Sequence, residues 1–389
     1  MVNILFVQRG NYAEAYLRFQ EGKPETYRDQ RAMVGFVEDL SRTHNVTVFA
    51  ACDQRHDMQL SPSLRSIGVP FSEIGQETVR SFFRENRIDR LICKNPAWRF
   101  LAQAKRDGIP TLPQFADLFQ VKKARDVYKY TRLRLTLASR TIPCVSNHSL
   151  NASKSVASTL RYPMHKVVPW DRRPVPAYEH PKEGVVDPSA PRIFFGGALS
   201  VEKGVEDCLA AIKVLEKAGI RARFSFASKN DPEPWRQRAA ELGVQDQVDF
   251  LGLIPNEQVL SEMRAHDIVV VPTRREYAEG LPNTLREALA TRSALVVSDH
   301  PAFAGRLRAE EDCLVFKGGD PADLANAIQR LCDSNALYAN LSGNAPVAQE
   351  KLPFGLFWDQ LYTLFIEDPT NETGWVDKHS LAVLLGKST

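Results

Sequence analysis

Cysteine is scarce and scattered in this chain. The six cysteines, Cys52, Cys93, Cys144, Cys208, Cys313 and Cys332, form no Cys-x-x-Cys pair, so neither a zinc site nor a disulfide framework is expected. A reducing, cytoplasmic setting fits that usage. Long apolar runs are missing as well: none approaches the roughly eighteen residues of a membrane span. The opening Met1-Val-Asn-Ile-Leu-Phe-Val-Gln-Arg9 has too short an apolar stretch and no cleavage site for a signal peptide. It reads as a first buried strand. There is no low-complexity tract, no internal repeat, and no zinc-finger, RNP-like or basic-zipper pattern, which removes nucleic acid from the expected partners.

What is present is ordinary for a large globular protein: 389 residues, 43% hydrophobic and 25% charged. That length exceeds what one core usually supports, so two domains are expected. The small net charge of +3 hides an asymmetry. Residues 1–180 hold 28 Lys and Arg against 17 Asp and Glu, and residues 181–389 hold 22 against 30, giving +11 and −8. A basic half joined to an acidic half implies that the first meets something anionic, such as a phospholipid surface or a lipid-phosphate acceptor. The segment 121–140 concentrates Lys122, Lys123, Arg125, Lys129, Arg132, Arg134 and Arg140. Val121, Tyr128, Leu135 and Leu137 fall broadly on one side of its helical wheel, the layout of a basic amphipathic helix at an anionic membrane. A basic helix whose apolar side packs on its own sheet is the equal alternative.

Apolar strand-like runs alternate with helical patterns. They are Ile4–Val7, Val46–Ala50, Arg90–Cys93, Thr111–Phe115, Ile142–Val145 and Val167–Trp170, then Arg192–Phe195, Arg223–Ala227, Val248–Leu251, Ile268–Val271, Ala294–Ser298 and Cys313–Phe316. Helices such as Val205–Ala218 and Ala322–Leu331 fill the gaps. Repeated βα units imply parallel sheets with right-handed crossovers, hence an α/β fold of two doubly wound domains. Ligands are then expected in a cleft beyond the carboxyl ends of the strands. Five prolines between Trp170 and Arg192 mark a linker. The expected organisation is a first domain over 1–173, a linker over 174–191, a second domain over 192–365, and a C-terminal segment over 366–389 that returns to the first domain.

The most informative stretch is Pro272-Thr-Arg-Arg-Glu-Tyr-Ala-Glu279-Gly-Leu-Pro-Asn-Thr-Leu-Arg-Glu287-Ala-Leu-Ala. Its first carboxylate closes a loop after an apolar strand. Its second lies in the first turn of a helix that Asn283 can cap. Leu285, Ala288 and Leu289 form the buried stripe of that helix, and Glu287 points away from it. Strand end, glycine loop and helix N-terminus make an anion site. Carboxylates beside an anion site repel the anion, so their partners are hydroxyls. Diphosphate plus hydroxyls describes a nucleotide sugar.

The stretch resembles the Glu-x7-Glu signature of retaining glycosyltransferases, especially glycosyltransferase family 4 (glycosyl transferases group 1), whose Glu-Gly-Leu-Pro-Asn form it matches. Gly196-Gly-Ala-Leu-Ser-Val-Glu-Lys203-Gly204 resembles the family's Gly-Arg-Leu…Lys-Gly element, in which an arginine and a lysine clamp the donor diphosphate. The resemblance implies the GT-B architecture, two Rossmann-like domains facing a central cleft. It also implies sugar transfer from a UDP- or GDP-linked donor to a hydroxyl of a glycan or lipid-linked acceptor, with retention, in cell-surface polysaccharide or glycolipid synthesis. Carried over residue by residue, Glu279 and Asp117 become catalytic. Gly10, Gly197, Lys203, Leu253, Ile254, Glu279, Gly280, Leu281, Pro282, Asn283, Thr284 and Glu287 become donor-binding, with Glu279 on sugar hydroxyls and Glu287 on the ribose. Ser146 is expected to cap a helix, and His148 to be structural. No Asp-x-Asp motif stands in a suitable loop, so no metal is implied, and no cofactor beyond the nucleotide sugar as co-substrate. The chain departs from the family at Ala198, where the clamping arginine belongs, and at Ala116, where many members carry a histidine. Arg274 or Arg275 is the candidate replacement cation. These departures keep open a catalytically weak nucleotide-sugar-binding subunit, and the shared architecture keeps open a phosphorylase or epimerase. The expected location is cytoplasmic, peripheral on the inner face of the plasma membrane.

Overall fold

The computed structural model describes residues 1–303 and 305–386. The chain divides into two compact units, Met1–Arg173 with the residues from Phe354 onward, and Pro174–Pro353. Eight strands come first: β1 (Asn3–Arg9), β2 (Asn45–Ala51), β3 (His56–Ser61), β4 (Leu64–Val69), β5 (Arg90–Cys93), β6 (Thr111–Phe115), β7 (Val145–His148) and β8 (Val167–Asp171). Then follow β9 (Arg192–Gly196), β10 (Arg223–Ala227), β11 (Val248–Gly252), β12 (Ile268–Val271), β13 (Ala294–Ser298), β14 (Leu314–Phe316) and β15 (Leu356–Phe357).

The first unit's sheet runs β15-β8-β7-β6-β5-β1-β2-β4-β3. All its pairings are parallel except β3 with β4. The central strands β1 and β5 carry continuous apolar runs because both faces are covered. In β1, Ile4 and Phe6 enter one core cluster and Leu5 and Val7 another, as the two-residue side-chain period requires. The second unit's sheet runs β11-β10-β9-β12-β13-β14, all parallel. Its strands divide in the same way: Ile193, Phe195, Ile268 and Val270 face one core, and Phe194, Val269 and Val271 the other.

Four expectations need correction. The strand placed at Ile142–Val145 begins at Val145, where pairing with Val167 starts, because Pro143 has no amide to donate. Ser146 is therefore a buried strand residue whose hydroxyl donates to Val168 O at 2.6 Å, and it caps no helix. The proline-rich stretch 174–191 is not a free linker. Val175 and Val185 are buried, Gln349 Nε2 donates to Val175 O at 2.7 Å, and the whole stretch belongs to the second unit. Lastly, the return to the first unit begins at Phe354 rather than at 366. Leu356 pairs with Trp170, and helix Trp358–Glu367 buries Trp358, Leu361, Tyr362 and Phe365 in the first unit's core. The Tyr362 hydroxyl donates to Gln114 Oε1 at 2.7 Å. The remainder of the segment expected over 366–389 belongs to the same unit, and its residues 387–389 lie outside the described residues. The β3–β4 hairpin escaped the sequence reading because β3 is largely exposed and polar.

Trp358 is 5% exposed and meets Phe36 edge-on, ring centroids 5.4 Å apart. Trp358→Ala is expected to cost about 3–5 kcal/mol, the scale for deleting a buried aromatic. Hydrogen exchange should accelerate across β8 and β15 while β9 and β12 keep their protection. Equal acceleration in both units would contradict the assignment of this helix to the first.

Candidate active site

In the second unit β9 and β12 are neighbours, and the chain leaves β9 toward β10 on one side and β12 toward β13 on the other. A crevice opens beyond the carboxyl ends of two such strands, the general ligand position of open α/β sheets. The loops after β9 and β12 meet there. Gly204 has φ +80°, and a Cβ on it would lie 2.2 Å from Pro272 O. Only glycine permits both that backbone and that approach. Arg274 N donates to Glu202 O at 2.8 Å, a second tie between the loops. The third is an ion pair. Asp207, 1% exposed in the first turn of helix Val205–Lys217, accepts from Arg274 Nη2 at 2.5 Å and Nε at 3.0 Å. It also accepts from Gly319 N at 3.2 Å. The far side of the β12 loop is fixed by buried side chains: Ser298 Oγ donates to Thr273 O at 2.5 Å, and His300 Nε2 lies 3.0 Å from Tyr277 O.

These loops enclose a cavity of about 230 Å³ lined by Gly197, Lys203, Glu279, Pro282, Asn283 and Thr284 among others. The Lys203 ammonium pairs with the Glu279 carboxylate inside it. Lys203 also sits over the Tyr277 ring, 4.6 Å from its centroid, a favourable place for a cation. Burial, then the charges of Glu279 and Glu202, push the Tyr277 hydroxyl above its ordinary pKa. Thr284 Oγ1 donates to Gly196 O at 2.9 Å, fixing the start of helix Asn283–Thr291 against the β9 loop. A cation, a carboxylate and a helix N-terminus thus share one small, partly enclosed space. That arrangement can hold a phosphate and a polyol together.

Six sequence-derived candidates therefore come together around the cavity, and others do not. Gly280 is half-buried in the same loop, and Leu281 is buried in the apolar core. Glu287 is 7% exposed within the helix and is not among the residues that line the cavity. Leu253 is 66% exposed after β11, and Ile254 packs against the core. Asn283 is the first helical residue, with Pro282 at the cap position and no side-chain cap bond, so the capping role expected for Asn283 is corrected. Arg274 holds Asp207, and Arg275 pairs with Asp299 at 2.8 Å in a largely exposed bridge.

The remaining candidates stand in the first unit. Asp117 follows β6, and its carboxyl is pushed above the ordinary range by burial, against the pull of Arg9 and Lys129. Gly10 follows β1 with φ +87° and lines a small cavity of its own. His148 Nε2 lies 3.2 Å from the buried Asp171, and its ring packs on Trp170, a structural setting. Sequence reasoning missed Asp207 and Tyr277. Tyr277 had a faint signal, an aromatic two positions before Glu279. Asp207 had none, because a first-turn aspartate reads as a dipole partner. Among the described residues no group of three or more His, Cys, Asp or Glu is placed to hold a metal ion.

Residues 190–334 match the family model described as Glycosyl transferases group 1. That match lies within the second unit. A relative, alpha-D-kanosaminyltransferase of Streptomyces kanamyceticus, is 25% identical over 179 residues, covering 46% of each chain. The chain thus spans under half the length of the curated relatives it matches. Among solved structures, sucrose-phosphate synthase from Thermosynechococcus elongatus matches with TM-score 0.66 and 15% identity, over 94% of this chain and 99% of that one. Anabaena HepE, in complex with UDP and glucose, matches with TM-score 0.63 and 13% identity, over 90% and 96%. The fold is GT-B.

Within the matched segment, Asp207 is held in a buried place by Arg274. Arg274→Ala is expected to destabilise this unit by about 3–5 kcal/mol, because it strands a buried charge. Arg275→Ala removes an exposed bridge and should stay within about 0.5 kcal/mol. Urea denaturation followed by tryptophan fluorescence measures both. Equal effects would refute the distinction.

Proposed function

We propose that this chain is a glycosyltransferase. It moves a sugar from a nucleoside-diphosphate sugar, UDP- or GDP-linked, to a hydroxyl of a glycan or lipid-linked acceptor, with retention at the anomeric carbon. The observation that carries the reading is the meeting of Lys203 and Glu279 at the strand-order reversal of the second sheet, inside the segment that matches the family model. The kanosaminyltransferase relative and the UDP and glucose bound to HepE support a nucleotide-sugar donor.

In this reading the leaving diphosphate gathers negative charge, and Lys203 with the amides at the start of helix Asn283–Thr291 stabilises it. An ammonium has three donors, so Lys203 serves a phosphate oxygen while keeping Glu279 in place. Glu279 takes sugar hydroxyls near the reacting carbon, and Glu287 the ribose hydroxyls. Retention needs no carboxylate nucleophile if the leaving phosphate accepts the acceptor's proton on the same face. Lys203→Ala and Glu287→Ala are each expected to weaken UDP or GDP binding by about 1–3 kcal/mol. Glu279→Ala should lower kcat more than nucleotide affinity. Calorimetry and turnover assays read the two effects, and wild-type donor affinity in both of the first variants would sink the site assignment.

The acceptor side of the proposal is peripheral membrane work in cell-surface polysaccharide or glycolipid synthesis. Among the described residues no helix is long and apolar enough to cross a membrane. Helix Ala124–Leu137 turns Leu133 and Leu137 into the core, which corrects the grouping of Leu137 with the outer stripe. Tyr128 and Leu135, seven residues apart along one side of that helix, remain 70% and 65% exposed, and Val121, which precedes the helix, is 55% exposed. All seven lysines and arginines of 121–140 are exposed. Each basic residue at an anionic surface contributes about 1 kcal/mol, screened by salt. Sedimentation with phosphatidylglycerol vesicles should therefore occur at low salt, fade at high salt, and weaken in a Lys129→Glu, Arg134→Glu double variant. Absence of binding at low salt would favour a soluble acceptor.

A further inference from the structure

The first unit has a strand-order reversal of its own. From β1 the chain crosses to β2 on one side, and from β5 to β6 on the other, while β1 and β5 are neighbours. Lys94 follows β5 directly, and its Nζ donates to Gln8 Oε1 near the end of β1 at 3.3 Å. A cavity of about 70 Å³ lies there, with Gln8, Arg9, Tyr27, Lys94 and Tyr362 in its wall. That is room for a few water-sized spheres, or for one small oxyanion.

The charge in this crevice is unbalanced. Among the described residues no carboxylate pairs with Lys94. Arg172 adds a second positive charge, its own partner being Asp29 at 3.1 Å. Burial, and secondarily Arg172, push the Lys94 ammonium down to about 7. An enclosed cation without a counter-ion is costly, and a bound anion removes that cost. Gln8 accepts from Lys94 through its oxygen, and its amide nitrogen adds a second donor to the cavity's wall residues.

We propose that Lys94 and Gln8 form an oxyanion site in the first unit, which takes a phosphate or carboxylate group carried by the acceptor. The proposal rests on the reading of the chain as a glycosyltransferase whose first unit holds the acceptor. The rival occupant is the donor's own phosphate, because Gly10, a donor-binding candidate, lines the same cavity.

Sulfate is the probe, since it does not titrate near neutrality. The expected result is millimolar or tighter sulfate binding by calorimetry, weakened about tenfold or more in Lys94→Met, the scale of a lost charge-assisted contact. Binding should also weaken as pH rises through about 7, where Lys94 loses its proton. The other groups facing it are Arg9, the Arg172–Asp29 pair, and the Tyr27 and Tyr362 hydroxyls, which burial raises. Gln8→Glu keeps the shape but supplies a carboxylate to Lys94, so it should abolish sulfate binding even if Lys94→Met folds poorly. UDP affinity should be unchanged in both variants. Failure of wild-type protein to bind sulfate, or sulfate binding insensitive to both substitutions, overturns the site. Loss of UDP affinity alongside sulfate overturns its assignment to the acceptor. If neither UDP nor GDP binds any variant, including wild type, the glycosyltransferase reading falls while the sulfate result still judges the site. Sulfate-sensitive, Lys94-dependent binding to phosphatidylglycerol vesicles would identify the anion as a lipid phosphate. Vesicle binding indifferent to Lys94 would identify it as a group on a soluble acceptor. Either result keeps the site.

Discussion

The arrangement of the second unit's crevice depends on the ion pair between buried Asp207 and half-buried Arg274. Neither residue lines the cavity with Lys203 and Glu279, yet each belongs to one of the two segments that do. Asp207 sits in the helix that the β9 loop opens, and Arg274 in the loop after β12. Removing Arg274 leaves the Asp207 charge buried, which costs far more than an exposed bridge contributes. The pair therefore acts as a lock, and the close approach of Gly204 to Pro272 O is the shape that the lock preserves. Lys203 is carried one residue before that glycine and Glu279 five residues after Arg274. Their meeting follows from how these loops are tied.

Much of this was legible from particular residues, and the failures have physical causes. β5, β6, β10, β12 and β13 agree with the sequence reading to the residue, because each is a short apolar run between polar helices. Pro143 shifted β7, since an apolar run does not reveal where amides are missing. The proline-rich stretch read as a linker because composition reports stiffness and not packing; its two buried valines give it a place. Helix Trp358–Glu367 is apolar enough to fit either unit, and only its neighbours decide. At the site, the type and spacing of Lys203, Glu279 and Thr284 were informative. What they touch was not, and the roles of Asp207 and Arg274 were invisible. Arg274 looked available for an anion in the sequence, and in the fold it holds a buried carboxylate.

Both units place a lysine where two parallel strands send their crossovers in opposite directions, and the two lysines differ in one respect. Lys203 has a carboxylate partner and an aromatic face, so its positive charge is supported before any ligand arrives. Lys94 has an amide oxygen, a nearby arginine and little solvent, so its charge is opposed. An anion reaching Lys203 shares an ammonium already engaged with Glu279. One reaching Lys94 meets an uncompensated ammonium and, above neutrality, draws a proton into the protein as it binds. The two crevices thus offer different electrostatic surroundings, and the proposed reading assigns a nucleotide's diphosphate to the second unit and a singly attached acidic group to the first.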